Sequence, residues 1–219
     1  MAFGRSDGRG EASWPRFTTG ASAGGVTSPL TGNFQSTFDF NASNGDQLPC
    51  TQHTKPMVDV KVYYLKMLSP NHRTVPPPRD GLAVVHAKKP PVAYYRFLYD
   101  AVGGDYDWTS RKKLSDAELA ALLNDPRLDV HVLMVDGVPA GFAELDRRTE
   151  GEIELVQFGL MRAFIGQGLG KYFLQWTIDK AWSYSPKRFW LHTCTKDHPA
   201  ALPNYLKAGF AIYKEEVKE

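Results

Sequence analysis

Cysteine is scarce in this chain: Cys50 and Cys194 are the only two among 219 residues. A single bridge between them is conceivable, but two cysteines make no disulfide framework, and the composition points to a reducing compartment. Net charge is nearly absent as well. Lys and Arg number 26 against 24 Asp and Glu, a formal +2 at pH 7, which removes the general electrostatic case for nucleic acid. No run of about 18 apolar residues occurs, so neither a transmembrane helix nor a membrane partner is expected. The first residues lack the charged-then-apolar order of a secretory signal, and the cytoplasm is the expected location. Arg5, Arg9 and Arg16 among serines and glycines carry a trace of an organelle transit peptide. Asp7 and Glu11 run against it, because such peptides avoid acids.

What is present is enough apolar material, 42% of residues, for one core of ordinary size. It is unevenly spread. Residues 1–56 are rich in Gly, Ser, Thr and Asn, with isolated aromatics and no sustained period. Such a segment buries too little to offset its ordering entropy, so it is expected to be a disordered or dispensable extension. Asn41 opens an N-x-S triplet, which has meaning only in a secreted protein. Met57 begins the first clear pattern and is a candidate native start, with 57–219 as the folded domain.

Within that domain the elements are legible. "VDVKVYYLKML" and "LAVVHA" read as strands, "PVAYYRFLYDAV" as a helix. Ser115 with Glu118 three residues later makes a capping box for a second helix. Asp136-Gly137 between two apolar runs signals a hairpin. "GEIELVQFGLM" is a further strand, followed by a glycine cluster and a helical run. "KRFWLHTCT" is a strand, "HPAALPNYLKAGF" a short helix stopped by Gly209, and "FAIYKEEV" a last strand. The layout predicts a mixed α+β (α/β) fold built on a mostly antiparallel central sheet flanked by helices.

The glycine cluster asks for a reason. In "FIGQGLGKYFLQW", Gly166, Gly168 and Gly170 stand at alternate positions directly before a helix. Glycine costs stability in regular structure, so a tight turn or an anion approaching the backbone at a helix N-terminus is implied. The dinucleotide pattern G-x-G-x-x-G does not fit this spacing. The phosphate loop of nucleotide hydrolases fits no better: its first glycine falls on Ile165, and Tyr172 replaces its Ser or Thr.

The strand, the loop "IGQGLG" and the helix together resemble the GNAT superfamily of acetyl-CoA-dependent N-acetyltransferases. That family's loop is Arg/Gln-x-x-Gly-x-Gly/Ala, and only Ile165 departs from it. The ending "NYLKAGF", Asn204 to Phe210, is similar to the family's Tyr followed by Gly-Phe. The resemblance covers roughly Val130 to the C-terminus. It implies a GNAT fold in which "EIELVQFGL" splays from "FWLHTC", with acetyl-CoA as co-substrate lying in the gap. It implies cofactor binding by Ile165, Gly166, Gln167, Gly168, Leu169, Gly170 and Lys171 at the loop and helix start, mainly through backbone N–H groups. Phe158, Gly159 and Leu160 would face the thioester and supply oxyanion donors, and Gly159 would permit an irregular backbone or bulge. Tyr205 would protonate the leaving thiolate, and Glu154 would take the amine proton directly or through water, with Glu152 or water alone as the alternative.

Two other groupings have competing readings. His192, Cys194 and His198, with Asp197 as a fourth group, have metal-like spacing, but histidines near a strand end are common without metal and none is expected. Cys194 as an acetyl acceptor lacks an activating base. In "GGDYDWTSRKK", Asp105, Tyr106 and Trp108 are candidate substrate-binding residues, able to hold a cationic amine and shape a pocket. Asp107 belongs with them; the alternative is an ordinary acidic–aromatic loop. The expected partner is a small-molecule or peptide amine acceptor, with a homodimer left open. A CoA-binding regulatory domain without catalysis and an acyltransferase using a longer acyl-CoA are the rival functions.

Overall fold

The computed structural model describes residues 59–218, and every structural statement here refers to these. The expected extension at 1–56, with Asn41 and Cys50, lies outside them. One seven-stranded sheet runs in the order β2-β3-β4-β5-β6-β1-β7. Its strands are β1 (Val60–Met67), β2 (Leu82–His86), β3 (Leu128–Val135), β4 (Val138–Asp146), β5 (Glu152–Leu160), β6 (Arg188–Cys194) and β7 (Ala211–Lys218). The helices are α1 (Val92–Gly103), α2 (Asp116–Asn124), α3 (Leu169–Trp182) and α4 (Ala201–Lys207).

Local chemistry accounts for most boundaries. Asp136 and Gly137 both take positive φ, 49° and 82°, as the right-twisted β3–β4 hairpin requires. At α2, the Glu118 N–H donates to Ser115 Oγ and the Ser115 N–H donates to Glu118 Oε2, the expected capping box. Gly209 stops α4 at φ 101°, where a side chain would be strained.

The sheet is covered on both faces. Leu65, Leu155, Phe173, Phe189, Leu191 and Phe210 pack with α3 and α4 on one side. Tyr95, Leu98, Leu119, Val130, Val132 and Phe142 pack with α1 and α2 on the other. Strand β3 contributes to both, Leu133 and Val135 to the first and Val130 and Val132 to the second. That two-sided burial explains its near-continuous apolar sequence. At the opposite edge, β7 is exposed along almost its whole length. Trp182 and Trp190 are only partly buried, Trp190 with the Arg188 guanidinium 5.6 Å over its ring; Phe189 is fully buried.

All neighbouring strands are antiparallel except β5 and β6. These two are parallel, and they pair only from Glu152↔Arg188 to Leu155↔Leu191. Past that point β5 stays with β4 and β6 stays with β1. The strands therefore part in the middle of the sheet. The irregularity of β5 lies at Val156, between the pairs Leu145↔Leu155 and Glu144↔Gln157, and not at Gly159 as the sequence suggested. The extra residue sits at the point of parting, where a bulge sharpens twist and turns the strand away. Gly159 is small for a different reason: a Cβ there would lie 2.5 Å from Val102 Cγ1 on α1.

Candidate active site

Parting leaves hydrogen-bonding edges without a strand partner. On the side of β5 that faces β6, the ladder ends at Leu155, although buried N–H and C=O groups need partners. The same holds for β6 beyond Leu191. A cavity of about 640 Å³ opens there. It runs from the parted strands to the start of α3 and to α4, and is walled on the other side by the α1–α2 connection.

At the α3 end, Gly166 and Gly168 have φ of 85° and 76°, conformations that side chains rarely adopt. Space around Gly166 is open, and Gly168 approaches only Pro78, 3.5 Å from its would-be Cβ. Gly168 is the N-cap of α3 and gives no side-chain cap. The first-turn N–H groups are thus left for an external anion, aided by the positive end of the helix dipole. Ile165, Gly166, Gly168, Gly170 and Lys171 line the cavity. Gln167 does not; its Nε2 donates to the Ala163 carbonyl at 2.9 Å. Leu169 buries its side chain completely in the core, so only its backbone can serve.

Phe158, Gly159 and Leu160 form the β5 wall. Phe158 stacks on Phe173 at 5.3 Å between ring centroids and meets Tyr205 edge-on at 6.3 Å. Tyr205, on α4, also lines the cavity and is 8% exposed. Its hydroxyl makes no hydrogen bond to a described residue. Burial raises its pKa, with the Asp197 carboxylate adding to the effect. At neutral pH Tyr205 is therefore an un-ionised phenol holding a proton beside the gap.

The α1–α2 connection supplies the facing wall through Tyr106, Asp107, Trp108, Thr109 and Ser110. Asp105 stands outside the lining and lies 3.7 Å from Arg162 on an exposed surface. The connection is pinned from beneath. Arg111 bonds the fully buried Glu144 of β4, which also accepts from the Tyr95 hydroxyl. Burial opposes the Arg111 charge, but Glu144 more than offsets this and the guanidinium stays charged. From above, Trp108 Nε1 donates to Asp197 Oδ1 at 3.3 Å. Asp197 Oδ2 accepts from Thr193 Oγ1 at 2.6 Å and the Cys194 N–H at 2.9 Å. Asp197 thereby ties the two walls together.

Glu154 stands on β5 just behind the parting point and does not line the cavity. His192 does, and its Nδ1 lies 3.4 Å from Glu154 Oε1. Cys194 and His198 line the same cavity, yet His192, Cys194, Asp197 and His198 form no metal-binding cluster among the described residues. The sequence showed their metal-like spacing without calling for a metal. Their shared feature is position, at the free end of β6 and the turn after it. Gln157, Ser110 and the buried Arg111–Glu144 pair were missed; only a Glu in the middle of an apolar strand could have drawn attention to the last.

The chain matches the model of the Acetyltransferase (GNAT) family over residues 95–210, from α1 to the end of the Tyr205 motif. None of the curated proteins compared matches it in sequence. Among solved structures it is similar to a GCN5-related N-acetyltransferase from Sphaerobacter thermophilus, at 15% identity and a TM-score of 0.54, covering 73% of this chain and 50% of that one. A tandem GNAT protein from the clavulanic acid biosynthesis pathway is similar at 14% identity and a TM-score of 0.53, over 73% and 52% of the two chains. A GCN5-related N-acetyltransferase from Kribbella flavida gives 16% and 0.50, over 72% and 56%. The chain thus spans about half the length of these structures. With a family match over more than half its length, and the parted sheet and glycine loop in place, the chain belongs to the GNAT acetyltransferase family.

Proposed function

We propose that this chain is an N-acetyltransferase that moves the acetyl group of acetyl-CoA to a primary amine, carried by a small molecule or a peptide. The observation that carries the reading is the continuity of one cavity. It joins the uncapped start of α3, the unpaired edges of β5 and β6, and the Tyr205 phenol. The residues present fit the co-substrate. Open space at Gly166, positive φ at Gly168 and free first-turn N–H groups suit a pyrophosphate, with Lys171 adding charge. The unpaired strand edges suit an extended amide-bearing arm.

Acetyl-CoA supplies an activated acetyl thioester. The protein's part is to orient it, to aim N–H groups of the Phe158–Leu160 segment at developing negative charge, and to manage protons. Tyr205 holds the proton that a leaving thiolate takes up. The α1–α2 connection, with Tyr106, Asp107 and Trp108, gives the acceptor its wall. A short acyl group is favoured because Val102 and Trp108 close on Gly159. The chain as a folded domain starting near Met57 belongs to the same proposal.

The test is thiol release from acetyl-CoA across a broad amine library, with the N-acetyl product identified by mass. Amine-dependent release is expected, and a long-chain acyl-CoA should be a poor donor. CoA binding with no turnover on any amine would leave a binding module instead of an enzyme.

A further inference from the structure

We propose that His192 is the base that takes the amine proton, and that Glu154 is a positioning residue acting through it. This rests on the acetyl-transfer reading above.

The geometry of the parting sets the order of the two groups. Glu154 pairs with Trp190 on the second-to-last rung between β5 and β6. His192 is two residues further along β6, so it shares that face and stands just past the last rung. An amine approaching the gap meets the half-exposed imidazole first, while Glu154 lies behind it with a side chain 23% exposed. Glu154 Oε1 faces Nδ1 at 3.4 Å, which leaves Nε2 for the cavity side. A carboxylate at Nδ1 fixes the ring and stabilises the imidazolium, the division of labour used wherever a histidine base is backed by an acid.

The carboxylates and the other histidine that line the cavity have partners of their own. Asp197 accepts three hydrogen bonds through its two oxygens. His198 accepts the Ala200 N–H on Nδ1 at 3.1 Å and packs edge-on to Tyr106. Asp107 is exposed and faces Lys196 at 3.7 Å. The groups facing His192 are Glu154 from β5, Tyr64 from β1 and Cys194 next along its own face. Tyr64 lies directly opposite on β1, with ring centroids 6.0 Å apart. Its hydroxyl donates to Glu216 at 2.8 Å and Lys214 sits 4.9 Å over its ring, so it is turned toward β7.

The step is a proton transfer. An N–H bond of the ammonium breaks, an Nε2–H bond forms, and the electron pair stays on the amine nitrogen as the nucleophilic lone pair. The imidazolium then returns its proton to solvent. The second proton that nitrogen loses on becoming an amide balances the one taken up by the thiolate, so one net proton is released per turnover.

The experiment uses the full chain, acetyl-CoA and the best amine from the library, with kcat measured against pH for wild type, His192→Gln and Glu154→Gln. CoA affinity and thermal midpoint are measured alongside. His192→Gln should lower kcat on the order of 10²-fold and remove the acid limb of the profile, with CoA affinity unchanged. Glu154→Gln should lower kcat by less and keep the acid limb. A His192→Ala protein should regain turnover with added imidazole, which a packing role would not allow. Loss of the acid limb in Glu154→Gln but not in His192→Gln overturns the assignment and makes Glu154 the base. Unchanged turnover in His192→Gln also overturns it. Wild-type protein that turns over no amine overturns the acetyl-transfer reading and this assignment together, whereas an active wild type with a failed histidine test overturns this assignment alone.

Discussion

Tyr205 and Gly168 carry different parts of the account, and each can be removed alone. Tyr205 keeps its proton because burial and Asp197 raise its pKa, and its ring packs against Phe158 and Phe210. Tyr205→Phe keeps the ring and deletes the donor. Turnover is expected to fall on the order of 10²-fold, the low end for a general acid, with CoA affinity unchanged in a separate titration. Loss of binding in step with turnover would make Tyr205 a cofactor contact only. Gly168→Asp acts at the other end of the cavity. It puts a side chain at φ 76° and a carboxylate beside the proposed pyrophosphate site. CoA binding should be lost while circular dichroism stays native; wild-type affinity would remove the loop assignment. Both positions can be singled out in the sequence, since each lies in a short motif with local cause, and the roles proposed for them await these tests. His192 was not. Its neighbourhood depends on β6 leaving β5 after Leu191, and a non-local parting leaves no mark on the spacing of His192, Cys194 and His198.

Among elements, the α1–α2 connection depends most on a single buried contact. Glu144 is fully buried and is satisfied by Arg111 and Tyr95. Arg111→Met would leave that carboxylate without its counter-charge. Removing one partner of a buried pair costs about 3–5 kcal/mol, so the urea midpoint should drop steeply, and amine KM should rise because Trp108 and Tyr106 lose their support. A midpoint within experimental error of wild type would show that the wall stands without the pair. The elements themselves were read well from sequence because hairpin, capping box and glycine stops are local. Two features were not. Strand β1 lies between β6 and β7, a pairing across most of the chain that no local pattern encodes. The bulge at Val156 is defined by its register with β4, whereas Gly159, which looked like the natural site, is small because α1 crosses close to it.

For the molecule as a whole, stability should depend on pH through a buried histidine. His131 on β3 is 2% exposed, its ring nitrogens have no partner among the described residues, and Trp176 and His86 pack against it at 4.9 and 4.7 Å. Burial lowers its pKa to about 4, and the pKa of His86 is lowered in the same direction. An unfolded histidine titrates near 6.5, so between these values the unfolded chain binds more protons. The contribution is complete above about pH 6.5 and is lost as pH falls toward 4, by up to roughly 3 kcal/mol. The urea midpoint should be lower at pH 4.5 than at 7, and His131→Leu should flatten the difference; an equal slope in that variant would assign it to carboxylates. Truncation to Met57 should leave thermal midpoint and CoA affinity nearly unchanged, and a large loss of either would show that the extension contributes to the fold.

The central claim is that the start of α3 and the parted edge of β5 hold one extended acyl-CoA. Hydrogen exchange with and without CoA reads both segments at once. Added CoA is expected to slow exchange at the amides of 168–172 and of 156–160 together, with Gly168→Asp abolishing both effects. Protection confined to one segment, or to neither, would contradict the claim.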